Sequence, residues 1–212
     1  MKNHLLLIWD WDNTLNDTSR SIFKALQDTM KHYGLSEPTQ KDLNEVMGHH
    51  KGAYWERVFP GYVDEAFDYM IHQFAGYHLD ANLFPETKEI LSFVYQLNIP
   101  QLIISNKPQD LLDMEVDKSG VRDLVKGVIG TDYILPDKKP MPTFGSQAIK
   151  HIPHQDLLVI GDGAADIEYA QAIGAKSVYI KKAEQVESYL NPDYRFDNLT
   201  DVSHWLKTYL KE

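Results

Sequence analysis

The chain contains no cysteine, so disulfide frameworks and thiolate metal sites are excluded. It also lacks any long apolar run. The N-terminal stretch Leu5 to Trp9 is broken at once by Asp10 and Asp12, which makes it too short for a signal-peptide core, and no later stretch is long enough to span a bilayer. Basic side chains are in deficit: 21 Lys and Arg stand against 31 Asp and Glu, for a formal net charge of -10. Such an excess repels nucleic-acid backbones over most of the surface. The expectation is a cytoplasmic protein with no nucleic-acid and no membrane partner. An anionic substrate must then be held by a local positive field or a bound cation.

What the chain does contain is ordinary for a globular protein: 43% hydrophobic and 25% charged residues over 212 positions, enough for one sizeable α/β domain with a small insert. Three short apolar runs end abruptly in polar residues. Leu5-Leu6-Leu7-Ile8-Trp9 ends at Asp10, Leu102-Ile103-Ile104 at Ser105-Asn106, and Leu157-Leu158-Val159-Ile160 at Gly161-Asp162. Runs this short, continuous and branched predict parallel strands buried on both faces. Val128-Ile129 and Ser177 to Ile180 are weaker candidates. Helical patterns alternate with them: one opened by Phe84-Pro85-Glu86, one by Pro108 and closed near Gly120, one from Ala164 to Ile173 stopped by Gly174, and one from about Thr200. This alternation predicts a doubly wound parallel sheet of the α/β class. Residues 16–83 differ, with helical spacing at Ile22, Phe23, Leu26 and Met30 and again from Asp64 to His78, but no convincing strand. They predict a small helical domain inserted after the first strand, with residues 1–15 and 84–212 forming the core.

Ligands of open α/β sheets bind beyond the carboxyl ends of the strands. Those ends carry Asp10 and Asp12, Ser105 and Asn106, then Asp162 and Asp166. Four carboxylates converging on one pocket repel one another unless a cation bridges them, and a hard dication such as Mg²⁺ with oxygen ligands resolves the conflict. Asp10 and Asp12, at spacing two past a strand, allow one carboxylate to attack while the other manages protons. Two aspartates so spaced also occur at plain strand ends with a helix cap. Gly161-Asp162-Gly163-Ala164-Ala165-Asp166 gives a small-residue turn in which Asp166 braces a site from the first helical turn, or merely caps the helix. Ser105 and Asn106 offer donors to phosphoryl oxygens, or form an ordinary turn. Lys139, in Lys138-Lys139-Pro140-Met141-Pro142, is the one lysine expected to face the four carboxylates.

Taken in this order, the four elements resemble the motifs of the haloacid dehalogenase superfamily: Asp10-Trp11-Asp12-Asn13-Thr14-Leu15 the first, Ser105-Asn106 the second, Lys139 before Pro140 the third and Gly161-Asp162-Gly163-Ala164-Ala165-Asp166 the fourth. The match runs over nearly the whole chain. A helical cap after the first motif is similar to the phosphoglycolate phosphatase and β-phosphoglucomutase branch, and Ser105-Asn106-Lys107-Pro108 strengthens the phosphatase side. Two positions depart from the usual pattern: Trp9 where Phe is common and Asn13 where Gly is common.

The resemblance implies that Asp10 is the nucleophile, Asp12 the general acid and base, and that Lys139, Ser105 and the Asn106 backbone hold the phosphoryl oxygens. Mg²⁺ would be held by Asp10, Asp162, Asp166 and the Asp12 backbone carbonyl. It implies a phosphatase acting on a small phosphorylated metabolite as a monomer or weak homodimer. A sugar phosphomutase and a catalytically idle binding or regulatory protein are the alternatives. Dehalogenases of the superfamily lack the second aspartate of the first motif, so Asp12 argues against that chemistry. In the insert, Met47-Gly48-His49-His50-Lys51-Gly52 is read as a loop whose Lys51, His49 and His50 contact the substrate away from phosphorus. Tyr54, Trp55, Phe59 and Tyr62 are read as insert core rather than as a sugar-stacking face.

Overall fold

The computed structural model describes residues 4–47, 51–80, 82–132, 137–181 and 191–211. The chain divides into two compact units, one of Met1–Asn16 with Leu83–Glu212 and one of Asp17–Asn82. In chain order, strand β1 (Leu5–Trp9) leads through a two-residue strand β2 (Asn16–Asp17) into helices α1 (Ser19–His32), α2 (Gln40–Met47), α3 (Lys51–Val58) and α4 (Val63–Tyr77). The chain returns through β3 (Asn82–Leu83). Then follow α5 (Thr87–Gln96), β4 (Gln101–Pro108), α6 (Gln109–Ser119), β5 (Gly127–Thr131), α7 (Ser146–Lys150), β6 (Asp156–Gly161), α8 (Ala164–Ala172), β7 (Lys176–Ile180), β8 (Tyr194–Phe196) and α9 (Leu199–Tyr209).

The larger unit is built on a six-stranded sheet of order β5-β4-β1-β6-β7-β8, every neighbouring pair of which is parallel. Strand order reverses at β1, where successive strands leave to opposite sides, and this makes the carboxyl end of β1 the binding crevice of such a sheet. The period-2 alternation of β1 explains its unbroken hydrophobicity. Leu5, Leu7 and Trp9 enter one buried cluster with Ile90, Leu91 and Val94 of α5, Leu112 and Val116 of α6, and Leu199, Val202 and Leu206 of α9. Leu6 and Ile8 enter the other, with Phe144, Ile149 of α7, and Tyr169 and Ala170 of α8. Helices therefore cover both faces, and no residue of the strand has a solvent side on which to be polar.

The smaller unit packs its four helices around Ala25, Leu26, Met30, Val46, Tyr54, Trp55, Phe59, Ala66 and Met70. Tyr54, Trp55 and Phe59 are core residues, whereas Tyr62, read with them from sequence, is exposed. Three other sequence readings need adjustment. The helix expected from Pro85 starts at Thr87, with Pro85 in the turn before it. Helix α7 (Ser146–Lys150) and, in a segment expected to hold no strand, β2 (Asn16–Asp17) and β3 (Asn82–Leu83) are too short to show a period in sequence. Lys51 and Gly52, expected in a loop, open α3. No helix among the described residues is long and apolar enough to cross a membrane.

Candidate active site

Register brings the chemically distinctive strand ends together. Trp9 pairs with Ile103 of β4 on one side and Ile160 of β6 on the other. Asp10 follows immediately, its backbone N–H donating to the Ile160 carbonyl at 2.9 Å. The chain then turns sharply: the Trp11 carbonyl accepts from the N–H groups of Thr14, Leu15 and Asn16, and the Asn13 N–H donates to the Asn16 carbonyl at 2.7 Å. Asn13 sits at φ 60, in the left-handed region. Glycine is the default there, and asparagine is among the few other residues that enter it readily, which accounts for the departure at this position.

Lys139 is the hub of one half of the site. Its Nζ donates to Asp10 Oδ1 at 2.6 Å and to Asp166 Oδ1 at 2.5 Å, and its side chain is 3% exposed. Asn106 fixes the backbone of that lysine reciprocally, accepting from the Lys139 N–H at 2.8 Å and donating through Nδ2 to the Lys139 carbonyl at 3.2 Å. Burial pushes Asp10 up to about 7; Lys139 opposes this, and the Asp166 and Asp12 charges add to it. Burial pulls the Lys139 ammonium down, but Asp10 and Asp166 outweigh it and hold the group above its ordinary value.

Asp10, Asp162 and Asp166 each place one carboxylate oxygen within 4.8 Å of the others. Thr14 Oγ1 donates to Asp162 Oδ1 at 3.2 Å and orients it. Asp166 accepts from the Gly163 N–H at 2.9 Å. A Cβ on Gly161 would lie 2.2 Å from Asp166 Cγ, so only glycine lets Asp166 fold in beneath the strand end. Three hard oxygen donors, with no sulfur and no imidazole among them, suit a hard divalent cation.

The other half is organised by a residue to which sequence reasoning assigned no role. Lys107 Nζ lies 2.7 Å from Asp12 Oδ1, a close ion pair rather than an aligned hydrogen bond. It also donates to Glu115 Oε1 at 2.6 Å and Oε2 at 2.7 Å. Burial pulls the Lys107 ammonium down, but Asp12 and Glu115 prevail and raise it. The expectation of a single lysine facing the carboxylates is thus corrected: two buried lysines divide them, Lys139 taking Asp10 and Asp166, and Lys107 taking Asp12 and Glu115. The Asp12 carboxylate stands outside the Asp10, Asp162 and Asp166 cluster. Ser105 is buried and its Oγ accepts from the Lys107 N–H at 3.3 Å, while Asn106 is exposed. His49 and His50 lie outside the described residues, as does the side chain of Lys51.

A parallel sheet with a switch point at β1, an aspartate emerging there and a three-carboxylate cluster beside it suit a site for a hard divalent cation. The chain belongs to the haloacid dehalogenase-like hydrolases, whose family profile matches residues 7–180. A phosphoglycolate phosphatase of Photobacterium profundum is 29% identical over 218 residues, covering 92% of this chain and 94% of that one. One from Aquifex aeolicus is 23% identical over 219 residues, covering 98% and 99%. A haloacid dehalogenase-like family hydrolase of Streptococcus pneumoniae superposes with a TM-score of 0.81 at 21% identity, over 97% of this chain and 100% of that one, a likeness of fold.

Proposed function

We propose that this enzyme hydrolyses the phosphoric monoester of a small metabolite, with Asp10 as nucleophile, Asp12 as proton-transfer group and Mg²⁺ as cofactor. The observation that carries the reading is the division of two neighbouring aspartates between two lysines. Asp10 shares Lys139 with Asp166, and Asp12 is held apart on Lys107. Two carboxylates in different charge environments can take different roles.

An Asp10 oxygen attacks phosphorus while the bond from phosphorus to the leaving alkoxide breaks, and Asp12 supplies the proton that alkoxide needs. Asp12 then takes a proton from the water that attacks the aspartyl-phosphate, which releases inorganic phosphate and restores Asp10. Lys139, the Ser105 hydroxyl and the Asn106 N–H offer fixed donors to the phosphoryl oxygens. Mg²⁺ held by Asp10, Asp162, Asp166 and the Asp12 carbonyl would offset the charge of the phosphate against the acidic site. Halide displacement needs no proton donor, so Asp12 favours an oxygen leaving group.

The relatives named phosphoglycolate phosphatase support a small, acidic substrate. Residues 16–83 enter this proposal as the cap domain, with Lys51, His49 and His50 recognising the acid end. Lys51→Ala is then expected to raise KM for an acidic phosphate ester and leave p-nitrophenyl phosphate turnover nearly unchanged.

Steady-state kinetics of Asp12→Asn test the division of roles. An alkyl phosphate should lose roughly 10²–10⁴-fold in kcat, the range for a missing general acid or base. p-Nitrophenyl phosphate should lose less, since its leaving group needs little protonation. Equal losses on both substrates would remove Asp12 from the acid role.

A further inference from the structure

We infer that Lys107, clamped by Glu115, is the positioning residue for Asp12, and that it sets the proton-transfer group from within the core unit. The inference rests on the proposal that Asp12 moves the proton.

Lys107 leaves the end of β4 just past Ser105-Asn106, and Glu115 stands on the second turn of α6. Both are buried, with side chains 2% and 3% exposed. Glu115 holds the ammonium with both carboxylate oxygens and also accepts from Trp11 Nε1 at 2.6 Å and Asn16 Nδ2 at 3.2 Å. The residue before Asp12 and the end of the turn after it are therefore tied to the carboxylate that aims Lys107 at Asp12. A free lysine is among the most mobile of side chains, whereas here the ammonium is buried against both Glu115 oxygens and Asp12 Oδ1.

Stability does not account for the arrangement. A buried ion pair is commonly no more stabilising than apolar residues of the same volume, because desolvation cancels the attraction. Geometry does account for it. Proton transfer requires heavy atoms within about 2.6–3.2 Å, and an acid with a freely rotating carboxyl meets that condition only part of the time. Asp12, Lys107, Glu115, Trp11 and Asn16 all belong to one compact unit. The base is consequently in place when the phosphoenzyme forms.

Rapid-quench kinetics of Lys107→Met with p-nitrophenyl phosphate separate the two half-reactions. Phosphoenzyme formation needs no acid with this leaving group and should stay near the wild-type rate. Breakdown needs the base and should slow by about tenfold or more, within the range general-base losses span, so that phosphoenzyme accumulates. Lys107→Arg should recover a large part of the breakdown rate. Should the single variant fold poorly because Glu115 is left unpaired, Lys107→Met with Glu115→Gln removes both charges and should give the same accumulation. Equal slowing of both steps in the folded variants, or no slowing of either, would overturn the inference alone. Phosphate release with no phosphoenzyme trapped in the wild type or in the folded variants would overturn the aspartyl-phosphate reading and this inference with it.

Discussion

Asp10 is a buried carboxylate among like charges. It is 8% exposed, faces Lys139 directly and has Asp166 and Asp12 close by. With no cation bound, burial and the two like charges keep the proton on Asp10 up to about pH 7 despite Lys139. The consequence for metal binding has a definite sign. A ligand carboxylate must lose its proton before a cation can bind, so affinity rises with pH while Asp10 is protonated, at most about tenfold per pH unit, and flattens above about 7. Stability of the metal-free protein runs the other way: the folded state keeps this proton longer than the unfolded chain, so the contribution fades as pH rises through the folded value. Titration calorimetry with Mg²⁺ between pH 5 and pH 8 checks the first statement. A flat profile would mean that Asp10 is already ionised in the folded apoprotein.

The elements were legible to the extent that burial left a pattern. Strands β1, β4 and β6 read directly from sequence because both faces are covered; Asp10 and Asp162 follow the ends of β1 and β6, whereas Ser105 and Asn106, expected past a strand end, lie within β4, whose register shifts between Ile104 and Pro108. Helix α8 was bounded correctly near Gly174, whose φ of 71 suits a helix terminus. What escaped were the pairings between elements. Glu115 lies 104 residues from Trp11, and nothing local distinguishes a lysine bound for it from a solvated one. Trp9 is a second instance. Its indole Nε1 donates to Gln101 Oε1 at 3.1 Å, while Gln101 Nε2 donates to the carbonyls of Leu91 and Leu124, each at 2.8 Å. The departure from phenylalanine at this position thus comes with a buried amide at the start of the adjacent strand. Trp9→Phe should destabilise the protein by about 1–3 kcal/mol, since it orphans the Gln101 oxygen in a dry interior. Chemical denaturation measures this, and kcat per folded molecule should be unchanged. A Phe variant as stable as the wild type would show that the hydrogen bond contributes nothing net.

At the scale of the whole molecule, the acidic surplus and the site obey one logic. A chain of net charge -10 would repel a phosphate ester, and the site itself sets Asp10, Asp12, Asp162, Asp166 and Glu115 against two lysines. The fold brings these groups together at the switch point of one sheet, so the negative field is local and one divalent ion offsets most of it. Removing divalent ions with a chelator should abolish turnover and lower Tm, because a ligand that binds only the folded state stabilises it by mass action. Mg²⁺ should restore both, whereas Ca²⁺ should restore Tm without turnover through its looser coordination. Full activity in excess chelator would exclude a metal requirement. The central claim, that Asp10 carries the phosphoryl group, is tested most directly by acid-quenching the enzyme during turnover of a ³²P-labelled phosphate ester with Mg²⁺ and mapping the labelled peptide. The label should fall on the peptide containing Asp10, be released by hydroxylamine as an acyl phosphate is, and be absent from Asp10→Asn. A turning-over enzyme whose label lies elsewhere, or an Asp10→Asn variant that is labelled like the wild type, would contradict it.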